Sequence, residues 1–321
     1  MVRTRRFQRP VIILGAPRSG TSLMHRILRG LPGSVSTARE SGEIWGPRTH
    51  PEHFEWRGEM APGAVPEEEV AQIHRELARA ALPAALWRRA DASDVSARQR
   101  EGGRIARLAA PAYRAVVRAR GQLWRSTLKR RLVDKSVHNG LWTELLERCF
   151  PDARFVHIVR EPEATLASMR DGWLDPDRFF TYKVPGGLGI PDYPHQHWNF
   201  PLPEGWESVR DAPLAVVVAF QWRRIQEGIL GLESRVPRER FLRVRLEDLS
   251  MEPRRVLGEV AQFLNLEDGE GLRRYADGLP VVNARPTECV QSGAGNPPIP
   301  ADVLANLVPL AERLGYSEAG A

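Results

Sequence analysis

PVIILGAPRSGTSLMHRILRGL, residues 10–31, decides the fold. Val11, Ile12, Ile13 and Leu14 form a short unbroken apolar run, the pattern of a strand buried on both faces in a parallel sheet. Gly15-Ala-Pro-Arg-Ser-Gly20 breaks the strand, and Thr21, Ser22 and the periodic Leu23, Ile27 and Leu28 begin a helix. A Gly-bounded loop between a buried strand and a helix N-terminus suits an anion. Its N–H groups point inward, and the helix end carries partial positive charge. The spacing invites comparison with the Walker A loop, G-x-x-x-x-G-K-[ST]. Gly15, Gly20 and Ser22 fit, but Thr21 stands at the lysine position and the cation moves inside the loop, to Arg18. Without that lysine a nucleoside triphosphate is held poorly, so the loop suits a different phosphorylated ligand. The plainer alternative is a strand–turn–helix with a Gly-rich bend.

Outward from this stretch, 321 residues at 42% hydrophobic are enough to bury a sizeable core, which argues against disorder. No run approaches the ~18–20 consecutive apolar residues of a membrane-spanning helix. The basic start (Arg3, Arg5, Arg6, Arg9) leads into VIIL, too short for a secretory signal. Cys149 and Cys289 make no disulfide framework, and with the missing signal they set the expectation of a cytoplasmic protein. A net charge of +6 fits polyanionic ligands. The arginines are spread among glutamates, without zinc-finger or RNP-like motifs, so nucleic acid is not expected as a partner.

Alternating strands and helices continue along the chain. Strands are expected at Arg131–Lys135, Phe155–Val159 and Phe241–Arg245, with helices over 141–150, from Pro162 through Met169, and over 214–232 and 253–264. This gives an α/β fold, a P-loop-like three-layer arrangement of a central parallel sheet flanked by helices. The expected organisation is one domain over 1–321. Residues 31–64 read as a long loop, 66–130 as a helical segment whose second pattern, from about Val95 to Leu128, has a mainly arginine polar face, and 171–213 as an irregular insert covering a pocket. A final helix is expected over about 301–314.

Arg160 ends the Phe155–Val159 strand, and Ser168 lies eight residues on, two helical turns into the next element. Ligand sites of open α/β sheets favour the carboxyl ends of strands. A guanidinium fork and a hydroxyl placed there suit one phosphate.

PRSGTS resembles the 5′-phosphosulfate loop of sulfotransferases that use 3′-phosphoadenosine 5′-phosphosulfate (PAPS), and FVHIVREPEATLASM resembles their 3′-phosphate motif. DKSVHNGLWTELLERCF and VRLEDLSMEPRRVLGEVAQFLNLE extend the likeness over most of the α/β core, nearer to bacterial sulfotransferases and the tyrosylprotein branch than to the cytosolic branch. Residues 171–213 match nothing in the family, and the C-terminal loop lacks the cytosolic RKG-type motif. The resemblance implies that Pro17, Arg18, Ser19, Gly20, Thr21 and Ser22 bind the 5′ end, Arg160 and Ser168 bind the 3′-phosphate, and Lys135 stabilises charge during transfer. It implies PAPS as co-substrate, no metal, and a small- or medium-sized acceptor bearing a hydroxyl or an amine.

Sulfuryl transfer resembles phosphoryl transfer, in which positioning and charge stabilisation dominate, and Arg18 and Lys135 take the charge role by that analogy. A base must take the acceptor's proton. Glu40 and Glu43 lie where the tyrosylprotein branch places its catalytic glutamate, and His138 lies near the cytosolic branch's histidine, though here in Lys-Ser-Val-His. All three stay open. His195 and His197 sit in an aromatic loop with no third ligand, so no metal is expected. Trp173, Tyr182, Tyr193, Trp198 and Trp206 are read either as an acceptor-pocket wall or as packing for an irregular loop. Two other functions remain open: a kinase-like P-loop phosphotransferase dependent on nucleoside triphosphate and Mg²⁺, and a non-enzymatic nucleotide- or polyanion-binding module whose binding falls with salt.

Overall fold

The structure, a computed structural model, describes residues 7–37, 41–56, 65–84, 130–175, 180–191, 193–266, 272, 275–276 and 298–316. Its centre is a six-stranded sheet. Strand β1 (Val11–Leu14) lies between β4 (Arg131–Lys135) and β5 (Arg154–Val159), all parallel. Beyond β4 comes β2 (Ser34–Ser36), parallel to it, and then β3 (Leu82–Pro83), antiparallel to β2. Beyond β5 the other edge is β8 (Phe241–Arg245), parallel again, so the order is β3-β2-β4-β1-β5-β8.

The apolar run of β1 is buried throughout and feeds both faces of the sheet. Ile12 and Leu14 join a large cluster on one side, and Val11 and Ile13 a smaller one on the other. Helix α1 (Thr21–Arg29) supplies Met24, Ile27 and Leu28 to the smaller layer, together with Val256, Leu257 and Val260 from a helix at Pro253–Phe263. Each such side chain, fully buried, is worth about 1.5–3 kcal/mol. The opposite layer holds α2 (Gly42–Thr49), α3 (Glu67–Ala80), α4 (Thr143–Cys149), α5 (Pro162–Trp173) and α6 (Leu214–Arg235). The second short sheet pairs β6 (Phe180–Tyr182) with β7 (Trp198–Asn199). On the chain's return, α7 (Leu246–Met251) follows β8, α8 is the Pro253–Phe263 helix, and α9 (Ala301–Ala305) and α10 (Val308–Arg313) close the described residues.

The three-layer α/β expectation holds, with three corrections. Residues 31–64 are not all loop, because they contain β2, α2 and a 3-10 turn at Pro51–Phe54. Gly42, Gly46 and Pro47 hide α2 from propensity. Its anchor is Trp45, fully buried, whose indole N–H donates to Ser41 Oγ at 2.8 Å. The sheet is not wholly parallel, since β3 runs antiparallel to β2; of the helical segment 66–130, α3 is in place through Ala80 and residues 85–129 lie outside the described residues. The insert begins later than 171, since α5 runs through Trp173.

The insert's rings are largely buried. Trp173 and Trp198 are fully buried, Trp206, Tyr193 and Tyr182 nearly so, and neighbouring tryptophans meet edge-on at 5.1 and 6.0 Å. Gln221 of α6 ties the layer together. It donates to the carbonyls of Asn199 (2.9 Å) and Pro201 (2.5 Å) and accepts from Trp173 Nε1 at 3.2 Å. Trp173, Trp198, Trp206 and Tyr193 are core packing, while the Tyr182 hydroxyl also reaches His138 Nε2 at 3.0 Å.

Candidate active site

The loop Gly15–Gly20 leaves β1 at its carboxyl end and turns into α1. Three of its residues take positive φ: Gly15 at 154°, Arg18 at 70° and Gly20 at 99°. A Cβ at Gly15 would fall 2.6 Å from Ile158 O, and one at Gly20 would fall 2.9 Å from Leu246 Cδ1. Gly15 is therefore required by space as well as by backbone, and Gly20 by its positive φ. Arg18 holds a left-handed conformation that costs on the order of 1 kcal/mol for a residue with a Cβ, a strain typical of functional loops. Buried Ser19 closes the loop by donating to Ala16 O (2.7 Å) and Ile158 O (3.2 Å), so its hydroxyl serves the loop's own backbone. Pro17 and Thr21 are buried, while Ser22 is exposed at the start of the helix.

Arg160 follows β5, and Glu161 caps α5 by accepting from Glu163 N (2.9 Å) and Ala164 N (2.6 Å). That cap sets the first turn, and with it the direction in which Ser168 faces. Arg18 Nε donates to Ser168 Oγ at 3.0 Å, and Arg160 Nη1 reaches Arg18 O at 3.5 Å. The loop and the α5 segment, far apart in sequence, thus place two guanidiniums and one hydroxyl together at the carboxyl edge of the sheet. Among the described residues, Arg160 has no carboxylate at ion-pair distance. Such a cradle of N–H donors and cations suits a ligand with more than one phosphate-type group.

Lys135 ends β4, its Cα paired with that of Ile13, and is 4% exposed. On its flank lies His25 of α1, whose Nε2 is 2.7 Å from Ser36 Oγ. Burial, then Arg29 and Lys135, push the His25 pKa down to about 3, so this imidazole is neutral. The strand then enters a 3-10 turn at Val137–Gly140. Asn139 locks the turn onto β1, donating to Ile13 O (3.3 Å) and Asp134 Oδ2 (3.1 Å). His138 projects from it, stacked on Trp142 at 5.1 Å and 18°. Its Nε2 lies 3.0 Å from Tyr182 Oη, and its Nδ1 3.4 Å from Ser136 Oγ.

The three base candidates part here. His138 is placed. Glu43 lies at the start of α2 with its side chain outside the described residues, and Glu40 lies outside them altogether. Cys149 is buried, and Cys289 lies outside the described residues. Among the described residues no group of three His, Cys, Asp or Glu side chains is placed to hold a metal ion, and no helix is long and apolar enough to cross a membrane. Two contributors were missed by the reading of the sequence. Glu247 Oε1 accepts from Glu161 N at 2.8 Å, bracing the backbone just after Arg160, while its Oε2 accepts from Tyr316 Oη at 2.9 Å. Tyr182 belongs to the insert's aromatics, but its partnership with His138 joins the insert to a turn 44 residues earlier and leaves no local signal.

Known proteins share this fold and family. The chain is similar in fold to the sulfotransferase domain from the curacin biosynthetic pathway (TM-score 0.51, 16% identity, covering 97% of this chain and 99% of that one). Weaker likenesses are the sulfotransferase domain from the Synechococcus PCC 7002 olefin synthase (0.46, 20%, 98% and 97%) and a sulfotransferase from Alicyclobacillus acidocaldarius (0.47, 13%, 97% and 97%). No curated protein matches the chain in sequence. The sulfotransferase family model matches residues 10–179, more than half of the chain and all of the loop, Lys135, Arg160 and Ser168, so the chain belongs to the sulfotransferase family.

Proposed function

We propose that the protein transfers a sulfuryl group from PAPS to a hydroxyl, or to an amine, of a small- or medium-sized acceptor by in-line displacement. The observation that carries this reading is the meeting of Arg18, Arg160 and Ser168, a strained loop cation beside a strand-end cation and a helix hydroxyl. In this reading Arg160 and Ser168 hold the 3′-phosphate. The backbone of Pro17–Ser22, with the Thr21 and Ser22 hydroxyls, holds the 5′ end. A phosphate oxygen replaces the present contact between Arg18 and Ser168. Arg18 and buried Lys135 stabilise the charge that gathers on the leaving oxygen, where low dielectric strengthens each interaction. Glu40, Glu43 and His138 are the candidates for the base.

The test is calorimetric titration with 3′-phosphoadenosine 5′-phosphate without Mg²⁺, against ATP with Mg²⁺. The bisphosphate alone is expected to bind; binding of ATP alone would move the protein to kinase-like chemistry. Arg160→Ala is expected to weaken the bisphosphate by about 10–100-fold, the loss of a charge-assisted pair, and adenosine 5′-monophosphate little. Equal losses for the two nucleotides would sink the 3′-phosphate assignment.

A further inference from the structure

His138 has both ring nitrogens engaged. Nε2 faces Tyr182 Oη at 3.0 Å, and Nδ1 faces Ser136 Oγ at 3.4 Å, an oxygen that also accepts from the backbone N–H of His138 at 3.2 Å. The two tautomers are not equivalent here. A phenol is a far better proton donor than a neutral imidazole N–H, and an imidazole nitrogen a far better acceptor than a phenol oxygen. The short contact is therefore Tyr182 O–H donating to Nε2, with the imidazole proton on Nδ1 toward Ser136. Burial raises the Tyr182 pKa, which keeps the phenol protonated and in the donor role. In this arrangement Nε2 has no lone pair left for an acceptor hydroxyl, whereas the Tyr182 oxygen does.

The surroundings of Tyr182 suit that task. It comes from β6, outside the stretch that carries the loop, Lys135 and His138. Its ring meets His50 at 5.5 Å, and His50 meets Trp56 at 5.9 Å. Both flanking rings are half-buried. Glu55 and Trp56 take consecutive left-handed conformations, φ 53° and 64°, and Trp206 Nε1 holds Trp56 O at 2.8 Å. Two non-glycine residues in that region mark backbone strain of the kind found beside binding sites. On its other face the His138 ring lies on Trp142, nearly parallel, which favours a cationic imidazolium.

We propose that Tyr182 and His138 act as one base, Tyr182 touching the acceptor and His138 storing the proton. The acceptor O–H bond breaks and its proton goes to Tyr182 Oη. The Tyr182 proton passes at the same time to His138 Nε2, giving an imidazolium and leaving the phenol neutral. The freed electron pair on the acceptor oxygen forms the new S–O bond, and the old S–O bond breaks with its pair leaving on the phosphate oxygen of the donor. His138 then returns its proton to water. The relay rests on the sulfuryl-transfer reading for its donor.

The first test needs neither donor nor acceptor. In the full chain labelled with ¹⁵N-histidine, with the His138 signals assigned by His138→Gln, His138 is expected as the Nδ1–H tautomer. Its Nε2 resonance is expected to move when Tyr182→Phe removes the donor. An Nε2–H tautomer in the unmodified chain overturns the relay. The second test follows release of 3′-phosphoadenosine 5′-phosphate from PAPS with phenol as probe acceptor. Tyr182→Phe and His138→Gln are each expected to lower kcat by about 100-fold or more, and the double variant no further, the signature of groups acting as a unit. Full activity in Tyr182→Phe, or multiplicative losses in the double variant, overturns it. So does a comparable loss in Glu43→Gln or Glu40→Gln with Tyr182→Phe active. The tautomer decides the relay whichever acceptor is turned over, whereas failure of the unmodified chain to bind 3′-phosphoadenosine 5′-phosphate would remove the donor reading instead.

Discussion

His157 lies wholly buried in β5, its Nε2 2.9 Å from Gln226 Oε1. Burial, and then Arg243, lower its pKa to about 3, and His25 is lowered to about 3 by burial, Arg29 and Lys135. Unfolded, each titrates near 6.5. Between those values the unfolded chain holds the extra protons, so stability rises with pH across the window and is lost as pH falls from about 6.5 toward 3. Each histidine contributes a slope of about 1.4 kcal/mol per pH unit where the difference is one proton. His157→Gln is expected to flatten the pH dependence of urea-unfolding free energy by up to that amount between pH 6 and 4, relative to the unmodified chain. An unchanged slope would show that His157 is protonated in the fold. At this scale the meeting of Arg18, Arg160 and Ser168 was legible in spacing, because Arg18 and Arg160 follow strands and Ser168 sits two turns into a helix, whereas Lys135 was legible only through the family resemblance. Tyr182 and Glu247 were not legible, because their contacts to His138 and to Glu161 N close over long sequence separations.

Among the elements, α6 shows how the turn carrying His138 is held. Gly228 faces the backbone of Gly140, and a Cβ there would overlap Gly140 O. A Cβ at Gly140 would meet Ile225 Cγ2 at 2.7 Å, so each glycine makes room for the other's element. Gly228→Ala is expected to destabilise by about 1–3 kcal/mol through overpacking against backbone that cannot rotate away. Gly231→Ala, on the same helix, meets nothing nearer than Arg235 Nη1 at 3.4 Å and is expected to be neutral or to stabilise by up to about 1 kcal/mol. Urea midpoints of the two variants check the pair, and similar losses in both would refute the close-packing account. The long elements were readable from periodicity: α6 runs Leu214–Arg235, three residues past the expected end. Short elements were not. The three residues of β2 and the two of β3 are too few to show a period, and α2 contains two glycines and a proline.

Among the described residues, a six-stranded mixed sheet lies between two apolar layers of unequal size, with the short β6–β7 sheet beside it. The larger layer absorbs the insert that matched no family pattern in the sequence. The sheet was legible because β1 is an unbroken apolar run, β5 nearly one, and β4 and β8 are short strands with apolar residues among charged ones. The insert was not, because its order comes from rings packed on α5 and α6 and from the two amide side chains, Asn199 and Gln221, that tie it down. That packing gives the protein a built-in optical reporter. Trp173, Trp198 and Trp206 lie close enough, and steeply enough inclined (74° and 72°), for their indole transitions to couple as excitons. Ultraviolet circular dichroism should therefore show a tryptophan couplet that Trp198→Phe weakens, leaving the contribution of the Trp45–Trp142 pair at 6.4 Å and 50°. Melting of that couplet, followed beside the backbone signal, would tell whether the insert comes away before the sheet or together with it.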